Sequence, residues 1–377
     1  MGFTANEKKA RHEAITKFIT ANNLRALLLI GDTNVGHSFY GDFRYYSNHR
    51  VNFQRQIAVV FPDSEPVLLL YSQFGAGSAR RFSFVGDCRV STNYIASVVQ
   101  LLKERGVSAG RLGVNSEMVP MIWHDYLRKE MPGLDLVEVH DAFMKIRFRR
   151  SGEEAEMYRK GAALADAGFE AALKVIRPGV SEYQIIAEIE YAARKEGAEE
   201  HFTLIGSGKF AFGETSQLPL PYNPSHRRIE PGDTVVLEIT PRYEGYWSQL
   251  VRMVNVGKPN PDLAKMQAVA RDAVKAGLVV FKPGKKVKDV TVAMQSYIGT
   301  RGFVGKPPFG HICGVDLVEE RVALDNERVI EPGLAAILHP MVHTADGKNV
   351  IFWGETYLAT SEGYEKLHHA TDEILTL

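Results

Sequence analysis

Three stretches in the second half of the chain carry side chains able to move protons. The first, VVLEITPRYEGYWSQLVR at 235–252, reads as a hairpin with Glu244-Gly245 at its tip. Glu238 lies on its first limb. Arg242 and Arg252 flank it, and either guanidinium can grip a substrate carboxylate through a forked contact. Tyr243 and Tyr246, three apart, are expected on opposite sides of a strand, so at most one lines a pocket. The second stretch is PFGHICG at 308–314, followed by Glu319 and Glu320. Glycines on both sides of His311 let backbone approach closely and constrain the ring. The third is Glu331-Pro332-Gly333, an apolar run at 334–338, and then His339. Imidazole titrates near neutrality, so His311 and His339 are the candidates for proton transfer. Glu238 and Glu319 are the candidates to orient and charge-stabilise an imidazolium. Each residue also has a plain structural role open to it: a strand-end carboxylate paired to arginine, a turn histidine, a hydrogen-bonded core imidazole. Cys313 follows His311 by two residues, a spacing at which side chains seldom meet, and is not read as a nucleophile.

These residues need elements to hold them. A helix is expected over 7–22, strands over 26–30, 56–61 and 66–71, and a helix over 95–105. A strand at 111–114, a helix at 123–130 and a strand at 134–139 complete an α/β layer domain. The charged stretch at 148–154 reads as the boundary, dividing 1–150 from 151–377. A helix follows over 153–176, ended by Pro178-Gly179. Ser181 and Gln184 form a capping box for the next helix, to about 195. The stretch 202–256 is rich in β-branched residues and turns. Helices are expected at 262–281 and 287–301, and strands near 335–340 and 350–359. Helices first and strands later mark an α+β domain. Loops at 206–226 and 341–349 are expected to shape a pocket.

Composition narrows the class. The 377 residues include 45 basic and 45 acidic side chains, which argues against a nucleic-acid or membrane-surface partner. No apolar run reaches bilayer length. The two cysteines, Cys88 and Cys313, build no disulfide framework and lack zinc-site spacing. The N-terminus has no signal-like apolar core, and Asn6 breaks a myristoylation pattern. A cytoplasmic protein is expected.

The second domain resembles the creatinase, aminopeptidase P and methionine aminopeptidase superfamily, the pita-bread fold. EPGD at 230–233, YEGYWS at 243–248, GHICG at 310–314, IEPG at 330–333 and ETYLATSEGYEKL at 355–367 fall in that family's order. The segment 147–166 is similar to its domain-entry helix. YYSNHRV at 45–51, with the strands at 56–71, is similar to the N-terminal domain of the creatinase and prolidase branch. Peptidases of the family hold two divalent metals with two Asp, one His and two Glu. The resemblance puts Glu238, Gln249, His311, His339 and Gly354 at those five positions, with Glu355 one residue out of phase. One carboxylate, two imidazoles and an amide under-compensate two dications. The expectation is therefore no metal cofactor, with one ion on Glu238, His311 and His339 as the remaining metal option. Glu319 matches the family's acidic partner, and Gln249 is placed to contact a substrate oxygen. The resemblance implies a homodimer and a metal-independent hydrolase that cleaves a C–N bond of a small, polar, carboxylate-bearing compound. Alternatives are an Xaa-Pro dipeptidase with a mononuclear site, a lyase, and a non-catalytic binding module.

Overall fold

The computed structural model describes residues 3–32, 41–51, 54–209, 221–258 and 261–377. Most of the loop expected at 206–226 thus lies outside the described residues. Two compact units divide the chain, Met1–Arg149 and Arg150–Leu377.

In the first unit, strands β1 (Leu24–Gly31), β2 (Gln56–Val60), β3 (Val67–Leu70), β4 (Asp87–Val90), β5 (Ala109–Val114) and β6 (Gly133–Glu138) form one sheet in the order β4-β3-β2-β1-β5-β6. Strands β1 and β2 pair antiparallel, whereas β5 pairs parallel with both β1 and β6. Parallel neighbours need helical crossovers, supplied by α4 (Tyr94–Glu104) and α5 (Met121–Glu130). Helices α1 (Ala5–Ala21), α2 (Gly41–Ser47), α3 (Gln73–Phe82) and α6 (His140–Arg147) complete the α/β unit. Neither α3 nor β4 was expected. Helix α3 carries two glycines and a 92% exposed Phe74, and β4 is four residues at a sheet edge. Such segments lack a clean hydrophobic period.

The second unit opens on α7 (Gly152–Val175), where Ser151 and Glu154 close a capping box. Ser181 and Gln184 do the same for α8 (Glu182–Lys195). Strands β7 (Glu200–His201), β8 (Leu204–Lys209), β9 (Asp233–Ile239), β10 (Pro241–Tyr243), β11 (Tyr246–Trp247) and β12 (Leu250–Asn255) follow. Helices α9 (Pro261–Val280) and α10 (Val287–Thr300) pack so closely that a Cβ on Gly277 would lie 2.7 Å from Met294 Cγ. Strands β13 (Val304–Gly305), β14 (Gly310–Cys313), β15 (Glu320–Arg321), β16 (Ala335–Leu338), β17 (Met341–His343), β18 (Val350–Phe352) and β19 (Gly354–Ala359) come next along the chain. The main sheet runs β15-β14-β16-β19-β12-β9-β8. Its core is built from Phe169 and Ala172 of α7 and Ile185 and Ile189 of α8. They meet Val235, Leu237 and Ile239 of β9 and Leu250 and Val254 of β12. Side chains alternate along a strand. The odd-numbered residues of β9 therefore cover the helices, and Glu238 points to the other face. Helices and sheet together make this unit α+β, as expected from the sequence.

Candidate active site on the sheet face away from helices α7 and α8

Register carries that face across the sheet. Glu238 is paired with Val251, Val251 with Gly354, and Thr356 with Ile337, which in turn faces His311. Partners directly opposite in an antiparallel pair share a face. Glu238, Gly354, Thr356 and His311 therefore look the same way. His339 follows the end of β16, where its amide donates to the Phe309 carbonyl at 3.0 Å. Its ring lies 5.1 Å from that of His311 and 4.9 Å from Phe352, edge to face in both cases.

Glycine makes this crowding feasible. A Cβ on Gly354 would stand 2.1 Å from the Leu338 carbonyl oxygen and 2.5 Å from His339 Cβ. No side chain fits there. Gly310, at φ +137°, is equally enforced, since a Cβ would reach 1.9 Å from the Ile337 carbonyl oxygen.

Glu238 accepts a hydrogen bond from Gln249 Nε2. Burial pushes its carboxyl up to about 7, against the opposing pull of that bond. Burial pushes His311 down to about 3, helped by neighbouring His339, and His339 down to about 4. Both imidazoles are therefore neutral at pH 7, and the titration order is the reverse of the sequence expectation. The partner of Glu238 is an amide, not an imidazole.

The other candidates go elsewhere. The buried Glu319 pairs with the equally buried Arg150, whose guanidinium also lies 3.8 Å from Glu154. Gly314 leaves room for this pair, because a Cβ would sit 2.2 Å from both partners. Glu319 thus neutralises an arginine. Arg242 donates to the carbonyls of Gly245 and Val315 and to Glu200, at 2.9, 3.0 and 3.2 Å. Arg252 donates to the carbonyls of Thr371, Val251 and Gly354 and to Glu355. Fold-internal acceptors occupy both forks, which corrects the expectation of a carboxylate grip. Glu355 is opposite Leu250, so it points to the helix side, as its one-residue offset requires. No bulge restores it to the site.

Tyr243 and Tyr246 are direct cross-strand partners, not residues of one strand. The turn at Glu244 and Gly245, with φ of 47° and 93°, folds the chain between them. Tyr246 donates to Glu154 at 2.6 Å, and Tyr243 stacks under Lys160, so neither is seen at the site. The Cys313 thiol is fully buried and pushed well above its ordinary value, which keeps it protonated. Sequence reasoning missed Arg150, Gly354 as a packing requirement, and Thr356. Only Gly354 left a signal, as a glycine inside the strand expected near 350–359.

Residues 156–361 match the model of metallopeptidase family M24, and 11–149 that of the creatinase/prolidase N-terminal domain. The chain belongs to metallopeptidase family M24. Among its relatives, the creatinase of Bacillus sp. (strain B-0618) is 24% identical over 92% of this chain and 86% of its own. The Xaa-Pro dipeptidase of Pyrococcus horikoshii is 27% identical over 70% of this chain and 74% of its own. The crystal structure of the X-Pro aminopeptidase from Thermotoga maritima superposes with a TM-score of 0.84 at 20% identity, covering 97% of this chain and 99% of that one. This M24 chain is a hydrolase with the fold of the creatinase and prolidase branch.

Membership overturns the expectation of no metal cofactor, because the family is one of metallopeptidases. Position 354 accepts no side chain. Gln249 turns an N–H donor, not an oxygen, toward Glu238. Among the described residues no group of three or more His, Cys, Asp or Glu side chains converges to hold a metal. As they stand these residues do not fit a metal ion.

Proposed function

We propose that this M24 chain hydrolyses a C–N bond of a small polar compound, with Glu238 as the proton-transfer group. The observation that carries the reading is the Glu238 carboxyl, raised to about 7 by burial and held by Gln249 on the face it shares with His311 and His339. A general base or acid works best when its pKa lies near the operating pH. At neutrality Glu238 is divided between carboxylate and acid. As carboxylate it takes a proton from the attacking water. As acid it returns that proton to the leaving nitrogen. Gln249 favours the carboxylate form through its N–H bond. His311 and His339, uncharged, offer hydrogen bonds to the substrate without competing for its proton. Glu238 and Gly354, against which His339 packs, are two strand spacings apart, roughly 10 Å of sheet. That span suits a small molecule between the carboxyl and the imidazoles.

Dipeptide hydrolysis is the second reading. It is supported by the 27% identical relative named Xaa-Pro dipeptidase. One experiment separates them. Purified protein is incubated with Xaa-Pro dipeptides and with small amidino and amido acids, each with and without added manganese or zinc, and product amine is followed. Turnover of the small compounds, lowered at least about 100-fold by Glu238→Gln, is the expected result. Cleavage of dipeptides alone favours the second reading. Full activity in Glu238→Gln removes the first.

A further inference from the structure

We propose that Thr356 is the positioning residue of the site: its hydroxyl clamps the backbone of Gln249 and so aims the amide at Glu238. The clamp has two bonds. The Gln249 N–H donates to Thr356 Oγ1 at 2.8 Å, and the Thr356 hydroxyl donates back to the Gln249 carbonyl at 3.1 Å. Both residues are buried, Thr356 at 0% and Gln249 at 1% exposure. The reason lies in the sheet. The β12–β19 ladder pairs Leu250 with Glu355 and Val251 with Gly354 and goes no further. Gln249 is the next residue out, so its N–H and carbonyl have lost their strand partner. A buried backbone pair must be satisfied by something. Thr356, one position further along β19 and on the site face, supplies one hydroxyl to both groups.

The neighbouring residues are fixed independently. Ser248 donates from its hydroxyl to the Tyr158 carbonyl at 3.0 Å, and the Trp247 amide donates to the Gly314 carbonyl at 3.1 Å. Among the described residues only Thr356 holds both backbone groups of Gln249. Its own hydroxyl is spent in the clamp, so Thr356 acts through Gln249.

The inference rests on the reading of Glu238 and Gln249 as the working pair, and the test separates the two. Thr356→Val keeps the shape and removes the hydroxyl, while Thr356→Ser keeps the hydroxyl. A misplacement of about 1 Å at a reacting group costs on the order of 100-fold in rate. Thr356→Val is expected to lose up to that factor in kcat with little change in KM, and Thr356→Ser to restore most of it. In a Gln249→Ala background, Thr356→Val should cost nothing further, since a clamp without its cargo has no effect. Equal defects in the Val and Ser variants, or losses that multiply with Gln249→Ala, overturn the proposal. Crystal structures decide it even if the natural enzyme turns over no compound offered. The Gln249 amide should leave Glu238 in Thr356→Val and stay in Thr356→Ser. An unmoved amide in the Val variant overturns the clamp. Should Thr356→Val fail to fold, Thr356→Ala is read in the same way.

Discussion

Replacing Glu238 by glutamine should make the protein more stable and less active, by an amount that depends on pH. The native carboxyl titrates at about 7, against an ordinary value of 4.5. Between those values the unfolded chain has released the proton and the native one still holds it. Fewer protons bound in the unfolded state means that stability falls as pH rises. The contribution is complete below about pH 4.5 and is lost as pH climbs through 7. A difference of roughly 2.5 units at 1.36 kcal/mol each amounts to about 3 kcal/mol. Glutamine has nearly the same shape, accepts the same bond from Gln249, and has no proton to lose. Urea unfolding of both proteins at pH 4 and pH 8 reads the effect. The variant's advantage should grow by about 3 kcal/mol between the two, while contributions of all other groups cancel in the difference. Turnover should meanwhile fall at least about 100-fold. An advantage independent of pH refutes the raised carboxyl, and with it the choice of Glu238 for proton transfer.

Three other outcomes follow from the same geometry. The profile of kcat/KM against pH should rise with a midpoint near 7, and Gln249→Leu should move that midpoint upward, because the removed bond holds the carboxyl down; a midpoint near the 3 or 4 of His311 and His339 would assign the step to an imidazole. Arg150→Met should cost about 3–5 kcal/mol in urea unfolding by taking the arginine partner from the buried Glu319 carboxylate; a change under about 1 kcal/mol would contradict the burial of this pair. Gly354→Ala should lower stability by about 1–3 kcal/mol and displace His339, as read by thermal melting and crystallography.

The elements that hold the site were largely visible in sequence, because local rules made them. The capping box at Ser181 and Gln184 starts α8 through contacts three residues apart. The offset of Glu355 put it on the helix side through strand parity alone. What escaped were relations between distant residues. Glu319 meets Arg150 across 169 positions, and no local pattern announces that pairing. Arg242 and Arg252 look like substrate grips when only their neighbours are known. They become fold supports once carbonyls of Val315, Thr371 and Gly354 arrive from distant parts of the chain. Tyr243 and Tyr246 were misplaced for a smaller reason: counting by two fails across a two-residue turn.

The exchange of roles between histidine and carboxylate has the same origin. Residue type alone assigns proton transfer to imidazole, since its free value lies near neutrality. Burial acts in opposite directions on the two groups, because each loses its charged form when water is removed. Taken out of water together, two histidines sink below the working range and a carboxyl rises into it. The bond that opposes the rise of Glu238 comes from an amide, and neighbouring His339 adds to the fall of His311. A sheet face that buries all three therefore turns the carboxylate into the acid–base group and the imidazoles into neutral contacts. For the same reason Gln249 suits this site better than a second carboxylate. An aspartate there would place a like charge against Glu238 and drive its carboxyl still higher, out of the range where it can both take and return a proton.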